Sequence, residues 1–348
     1  MMSKIHLHTK PLLISWLTGW LFVWGQQAQA QRTQINGFID AVTYYQNGQL
    51  NFTLGEQTLF VKSELNERFS FLGETIIRYA PETSSKFDIR IERAIIKYNY
   101  FGNHNLLIGK FHTPINYWND TYHRGRVFWP TIERLLVFSQ GIIPQSTTGI
   151  SLQGLHLGQL RFGYDLMVGN GIGASDLIDN DRYKSVTASV HIKPVDGLRL
   201  GASLYHDIIS KDAVSSGQPT RDSSQVAVSN VTQNLLTASV TYLTSRYELL
   251  AESTTAFNNS VTTGDQRVST LYIYAGLRIN NKVIPYVRFD NIQYHNREVF
   301  FRKDNVQSFI AGLRYEINYL TVVKLEYQQL KRETTTADKL SLQLAIGF

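Results

Sequence analysis

The chain has 348 residues, a formal net charge of +6 from 34 basic and 28 acidic side chains, 24 Gly, 19 Tyr, 18 Phe and no Cys. Without cysteine it has neither a disulfide framework nor a lipid-attachment thiol, and its basic excess is spread along the chain, unlike the stripe that marks nucleic-acid binding. Its mean hydropathy of -0.19 excludes a bundle of membrane helices but not a wall of strands in which only alternate side chains face lipid.

Residues 1–30 have the three parts of an export signal. Lys4 and Lys10 give a positive start, Pro11 to Trp24 is uncharged and mostly apolar, and Ala28-Gln29-Ala30 fits the small-residue cleavage pattern. The apolar stretch of about 14 residues is short of the roughly 20 a helix needs to cross hydrocarbon. Cleavage is therefore expected before Gln31, leaving residues 31–348 as a single domain; losing Lys4 and Lys10 lowers the charge from +6 to +4.

Beyond Gln31 the recurring signal is alternation. The strands it predicts begin with Ile35–Gln46, Gln57–Leu65, Arg68–Tyr79, Phe87–Tyr98, Leu106–His112, Gly149–Leu157, Leu160–Val168 and Ser185–Lys193. They continue with Leu198–Asp207, Leu235–Leu243, Tyr247–Phe257, Thr270–Ile279, Val283–Gln293, Val306–Ile317, Leu320–Leu330 and Leu340–Phe348. In the twelfth of these, Leu271, Ile273, Ala275, Leu277 and Ile279 share one face, and Tyr272, Tyr274, Gly276 and Arg278 share the other.

Short and long connections alternate. Brief breaks fall at Gly102 to Asn105, Asp196-Gly197, Ser245-Arg246, Asn280-Asn281 and Asn318. Longer polar breaks fall at Gly48 to Gly55, Ala80 to Ser85, Thr113 to Thr147, Asn170 to Lys184, Ile209 to Asn234, Asn258 to Val268, Asn296 to Asp304 and Arg332 to Asp338. Aromatic residues gather near strand ends, at Tyr44, Tyr45, Tyr79, Tyr98, Tyr100, Tyr117, Trp118, Tyr247, Tyr294, Tyr319 and Tyr327, as girdles at two membrane interfaces would. Together these features predict an all-β transmembrane antiparallel up-and-down barrel of about 16 strands with both termini periplasmic, wide enough for an aqueous channel.

The segment Arg93-Ala94-Ile95-Ile96-Lys97-Tyr98 followed by Gly109-Lys110-Phe111-His112-Thr113-Pro114 resembles the strand, turn, strand and Pro-started loop of porins related to the phosphate-selective family. The resemblance spans about 25 residues and implies a porin architecture; the dense basic run of a phosphate-selective channel is absent. The end of the chain, Leu340 to Phe348, resembles the terminal signature that outer-membrane proteins present to the barrel-assembly machinery. That resemblance implies Leu342, Leu344, Ile346 and Phe348 as the recognition element.

Thr113 to Thr147 is rich in apolar residues for a solvent loop, with Ile115, Trp118, Trp129, Leu135, Leu136, Phe138 and Ile142 among them. It is expected to fold into the barrel, resembling the constriction loop of general porins; a subunit or partner contact is the alternative. Folded inward, Asp120, His123, Arg124, Arg126, Glu133 and Arg134 would supply charge at the narrowest point.

Alternation also points Arg78, Arg90, Arg161, Arg199, Arg278, Arg288, Arg314 and Lys324 into the barrel. The acids expected to face them are Glu74, Asp88, Glu92, Asp165, Glu248, Glu252, Asp290, Glu316 and Glu326. Eight bases against nine acids predict a wall of weak selectivity, much of it ion-paired.

No His spacing suits a metal, Gly169 to Gly173 opens no nucleotide-binding helix, and no hydrolase constellation can be placed, so neither a cofactor nor a catalytic residue is expected. The function that follows is passive diffusion of small hydrophilic solutes or ions through a porin in the outer membrane. Adhesion or assembly through the long loops, or a barrel enzyme, are the alternatives. A gated uptake barrel would need a plug ahead of the first strand at Ile35, for which there is no room. The expected partners are outer-membrane lipid and lipopolysaccharide, the assembly machinery and the solutes, with a homotrimer implied by the class.

Overall fold

The alternating segments become hydrogen-bonded strands in the computed structural model, which describes residues 32–80, 84–122, 125–171, 181–210, 229–262, 264–295 and 304–348. The expected signal, residues 1–30, lies outside the described residues. The strands are β1 (Arg32–Gln46), β2 (Gln49–Leu54), β3 (Gln57–Glu64), β4 (Phe69–Tyr79), β5 (Phe87–Phe101), β6 (His104–His112), β7 (Ser146–Leu157) and β8 (Phe162–Gly169). Then follow β9 (Ser185–Ile192), β10 (Leu198–Ile209), β11 (Val231–Leu243), β12 (Tyr247–Ser260), β13 (Gly264–Leu277), β14 (Val283–Tyr294), β15 (Val306–Asn318), β16 (Thr321–Arg332) and β17 (Thr336–Gly347).

β2 and β3 both pair with β1 and form one crossing interrupted at Gly55 and Glu56, so the barrel has sixteen strands. Asp40 holds the interruption: its carbonyl accepts from Gly55 N at 2.8 Å and its carboxylate from Glu56 N at 3.1 Å. Neighbours are antiparallel throughout, and β1 pairs with β17 from Phe38↔Gly347 to Gln46↔Lys339, which closes the sheet. Gly37 and Phe348 exchange both backbone hydrogen bonds at 2.9 Å to finish the seam. Closure leaves no edge strand to be satisfied in lipid.

The apolar face points outward. Leu271, Ile273 and Leu277 are exposed on β13 while Tyr272 and Tyr274 are buried, and on β17 Leu340, Leu342, Leu344 and Ile346 are exposed while Ser341, Gln343 and Ala345 are buried. Such a continuous apolar exterior is far larger than water tolerates and suits hydrocarbon.

The structure corrects several expectations. Gly48 to Gly55 is not a long break: Asn47 and Gly48, at φ 52° and 78°, form a two-residue hairpin turn, and 49–54 continue as strand. Leu50, Phe52 and Leu54 there carry the outward apolar alternation. The breaks expected at 258–268 and 332–338 shrink to 261–263 and 333–335, because β12, β13, β16 and β17 run farther than their apolar residues do. Arg161, at φ 47°, sits in the 158–161 turn and pairs with Asp196, away from the wall. Tyr117 and Trp118 are buried in the loop, and Tyr294 packs against the interior cluster. Exposed Tyr45, Tyr79 and Tyr327 lie toward the loop end, and Tyr100, Tyr247 and Tyr319 toward the turn end.

Candidate functional site

The described residues of 113–145, the connection between β6 and β7, lie along the inner wall. Its apolar residues Ile115, Trp118, Leu135, Leu136, Val137, Phe138, Ile142 and Ile143 form one cluster with inward residues of β10 to β15, among them Tyr205, Leu250, Tyr272, Tyr274, Ile292 and Ile310. Each such side chain contributes roughly 1.5–3 kcal/mol when it leaves water, and that draws the loop onto an otherwise wet surface. Locally it forms two short helices, α1 (Tyr117–Thr121), whose N-cap Asn116 accepts from Asn119 N, and α2 (Leu136–Ser139). Asn119 Nδ2 ties the base of the loop by donating to the carbonyls of Thr113 at 2.8 Å and Gln145 at 2.9 Å.

The polar wall then divides the loop backbone between its two signs of charge. Carboxylates accept its N–H groups: Glu252 from Tyr117 at 2.5 Å and Trp118 at 3.0 Å, Glu326 from Ile132 at 2.5 Å, and Asp290 from Leu136 at 3.3 Å. Cations donate to its carbonyls: Arg288 to Glu133 at 2.7 Å and Arg134 at 3.1 Å, Lys324 to Arg126 at 2.7 Å and Thr131 at 3.3 Å, and Arg314 to Pro130 at 3.4 Å. Inside the barrel, where few other partners exist, each of these groups satisfies a backbone atom that would otherwise be orphaned.

The residues singled out by alternation and loop position therefore separate. Arg288, fully buried and paired with Asp290 at 2.7 Å, and Arg314, paired with Glu248 at 2.6 Å, are covered by the loop and present little charge to water. Arg278 bridges Glu248 at 2.8 Å and Glu316 at 2.6 Å. Arg78 and Arg90 share Asp88 at 3.0 and 3.2 Å. Arg126 reaches Asp40 at 3.4 Å and Glu56 at 3.8 Å, and Arg134 reaches Glu56 at 3.9 Å. Arg126 and Arg134 also both lie over the ring of Trp129, at 5.4 and 4.9 Å. Glu133 meets Lys339 at 2.5 Å, Asp120 is exposed at the end of α1, and His123 and Arg124 lie outside the described residues. Burial alone would raise the Glu133 carboxyl, but Lys339, helped by Arg126 and Arg288, outweighs it and holds the group below its usual range.

Several functional partners escaped sequence reasoning. Arg93, paired with buried Glu74, points inward because a bulge between Glu74 and Thr75 makes the strand register skip Glu92 and shifts the phase of β5. The signal was present: outward Ile89 and Ile91 are followed by outward Ile96, an odd step. Asp40, Glu56 and Ser203, whose hydroxyl donates to the Ile115 carbonyl, gave no such sign, since their partners are remote in sequence.

No family model matches the chain, and no curated protein matches it in sequence. Solved structures do match its shape. A loop-deleted OmpT, an outer membrane protein of Vibrio cholerae, superposes with a TM-score of 0.66 at 11% identity, covering 92% of this chain and 100% of that one. An anion-selective porin from Comamonas acidovorans gives 0.66 at 10%, covering 91% and 100%. The outer membrane channel DcaP of Acinetobacter baumannii gives 0.62 at 12%, covering 92% and 99%. The fold is that of outer-membrane porins. None of these three is described as phosphate-selective, so the resemblance of residues 93–114 to that family gains no support beyond the shared porin fold.

Proposed function

We propose that the protein is an outer-membrane porin through which small hydrophilic solutes diffuse passively, with 113–145 as its constriction. The observation that carries this reading is the double anchoring of the loop inside the barrel, by an apolar cluster and by wall charges bonded to its backbone. A loop held at so many points narrows the barrel. On this reading residues 1–30 direct export, both termini are periplasmic, and the outward face of the last strand with Phe348 serves assembly.

The balance of exposed charge on the β2–β5 side favours a weak anion preference. The side chains of Arg78, Arg90, Arg126 and Arg134 are 47, 38, 26 and 25% exposed, while their partners Asp88, Glu56 and Asp40 are 26, 12 and 3% exposed. The bases meet the water and the acids stand behind them, so the local potential is positive.

Planar-bilayer recording on the purified mature chain tests both parts. Stepwise conductance is expected, with a reversal potential in a KCl gradient displaced toward chloride; displacement toward potassium overturns the anion preference. Deleting Trp118 to Val137 is expected to raise the conductance, and an unchanged value overturns the constriction role. Absence of any conductance would favour the adhesion reading of the long loops.

A further inference from the structure

Between the start of the loop and β9–β11 lies a shallow cleft open to solvent, lined by Tyr117 and Asp120 from the loop and Ser189, Arg199, Thr237 and Ser239 from the wall. Its cation differs from every other inward arginine named above. Those all have a carboxylate within ion-pair distance, whereas Arg199 has none among the described residues. Its guanidinium instead lies 4.9 Å over the Tyr117 ring, which fixes the plane and leaves the N–H edge free.

Gly201 makes the room. A Cβ there would stand 2.7 Å from Ser239 Oγ and 2.9 Å from Arg199 Nη1, so the missing side chain is what lets this hydroxyl and this guanidinium converge. Ser189 and Ser239 hydroxyls make no hydrogen bond among the described residues, and Asp120 is exposed. Such a cleft offers one planar cation, two hydroxyls and one carboxylate that accepts hydrogen bonds and repels negative charge.

We propose that this cleft is a binding station for hydroxylated monocarboxylates, of which a sugar acid is the type. The solute carboxylate pairs with the Arg199 fork, its hydroxyl groups bond to Ser189, Ser239 and Asp120, and Asp120 disfavours a second negative charge. The inference rests on the porin reading for its role in transport, but the binding itself does not.

Two measurements keep these apart. Calorimetric titration of the detergent-solubilised chain with gluconate reads the station whether or not the barrel conducts. Saturable binding is expected, weakened at least about tenfold in Arg199→Gln, with glucose binding no better than background. In Asp120→Asn, tartrate, a hydroxylated dianion, is expected to bind more tightly than it does to the native chain. Equal gluconate binding by native and Arg199→Gln protein, or equal binding of glucose and gluconate, overturns the station. Should Arg199→Gln not fold, Arg199→Lys, which keeps the charge and loses the fork, is expected to bind gluconate more weakly than native protein; undiminished binding overturns the proposal equally. In bilayers gluconate is expected to interrupt the KCl current. A station that binds in the calorimeter while the chain fails to conduct KCl overturns the porin reading alone.

Discussion

The Glu252 carboxylate, on β12, accepts two consecutive backbone N–H groups of the loop, those of Tyr117 at 2.5 Å and Trp118 at 3.0 Å. These are N–H groups of the first turn of α1, which no residue within the helix can satisfy. Glu252→Gln preserves the shape but removes the charge and replaces one acceptor by a donor. Hydrogen bonds to charged groups contribute about 1.5–3 kcal/mol, so the loop anchor is expected to weaken by that order while the barrel ladder is untouched. Single-channel recordings should show excess noise in the variant and unchanged heat-modifiable migration; quiet traces would mean that the loop does not depend on Glu252.

Gly109 sits on β6 at φ 129°, and a Cβ there would collide with the Ala94 carbonyl oxygen of the neighbouring strand. The obstacle is backbone in both a ladder and a closed sheet, which cannot swing aside as a side chain can. Both positions have a positive φ, which costs a side chain on the order of 1–3 kcal/mol, and the clash makes Gly109→Ala costlier than the same change at Gly48, where nothing stands within 4 Å. Urea unfolding of the refolded barrel in micelles compares the two variants, and equal midpoints would contradict the expectation.

The barrel was legible because lipid and water impose period two on each strand independently, so β13 and β17 could be read one at a time. Arg93 was lost for the same reason: a single bulge inverts the phase of everything after it, and bulges arise from a partner strand that local sequence does not display. The loop's inward position was suggested by its apolar content alone. Its fastenings were not, since Lys324 to Arg126 and Glu326 to Ile132 join residues 198 and 194 positions apart. Alternation placed Arg288 and Arg314 inward but could not show that the loop covers them.

Leu313, Leu325 and Leu342 lie directly opposite one another across β15, β16 and β17, all exposed on the outer face. An arginine at the bilayer midplane on such a face costs about 2–4 kcal/mol, falling toward zero near the interfaces. Leu325→Arg is expected to lie near the upper part of that range and Tyr319→Arg, in the turn, near its foot. Reversible folding into lipid vesicles measures both, and equal costs would argue that this row is not in hydrocarbon.

The Glu133 and Lys339 pair gives the loop an acid limit whose direction follows from the shift. Burial would raise the Glu133 carboxyl, and Lys339 with Arg126 and Arg288 more than reverses this, so the folded group is held below its usual range. A carboxyl depressed on folding stabilises its folded contact above its unfolded value, and that contribution disappears as the pH falls through the folded one. Channel noise from the loop is therefore expected to stay flat from pH 7 to about the unfolded carboxyl value and to rise only below it. Lys339→Met removes the main partner that opposes burial and leaves only Arg126 and Arg288 against it, which moves the acid transition toward neutral pH. A transition that stays in place in Lys339→Met would assign it to another carboxylate, and one that moves toward lower pH would contradict the pairing.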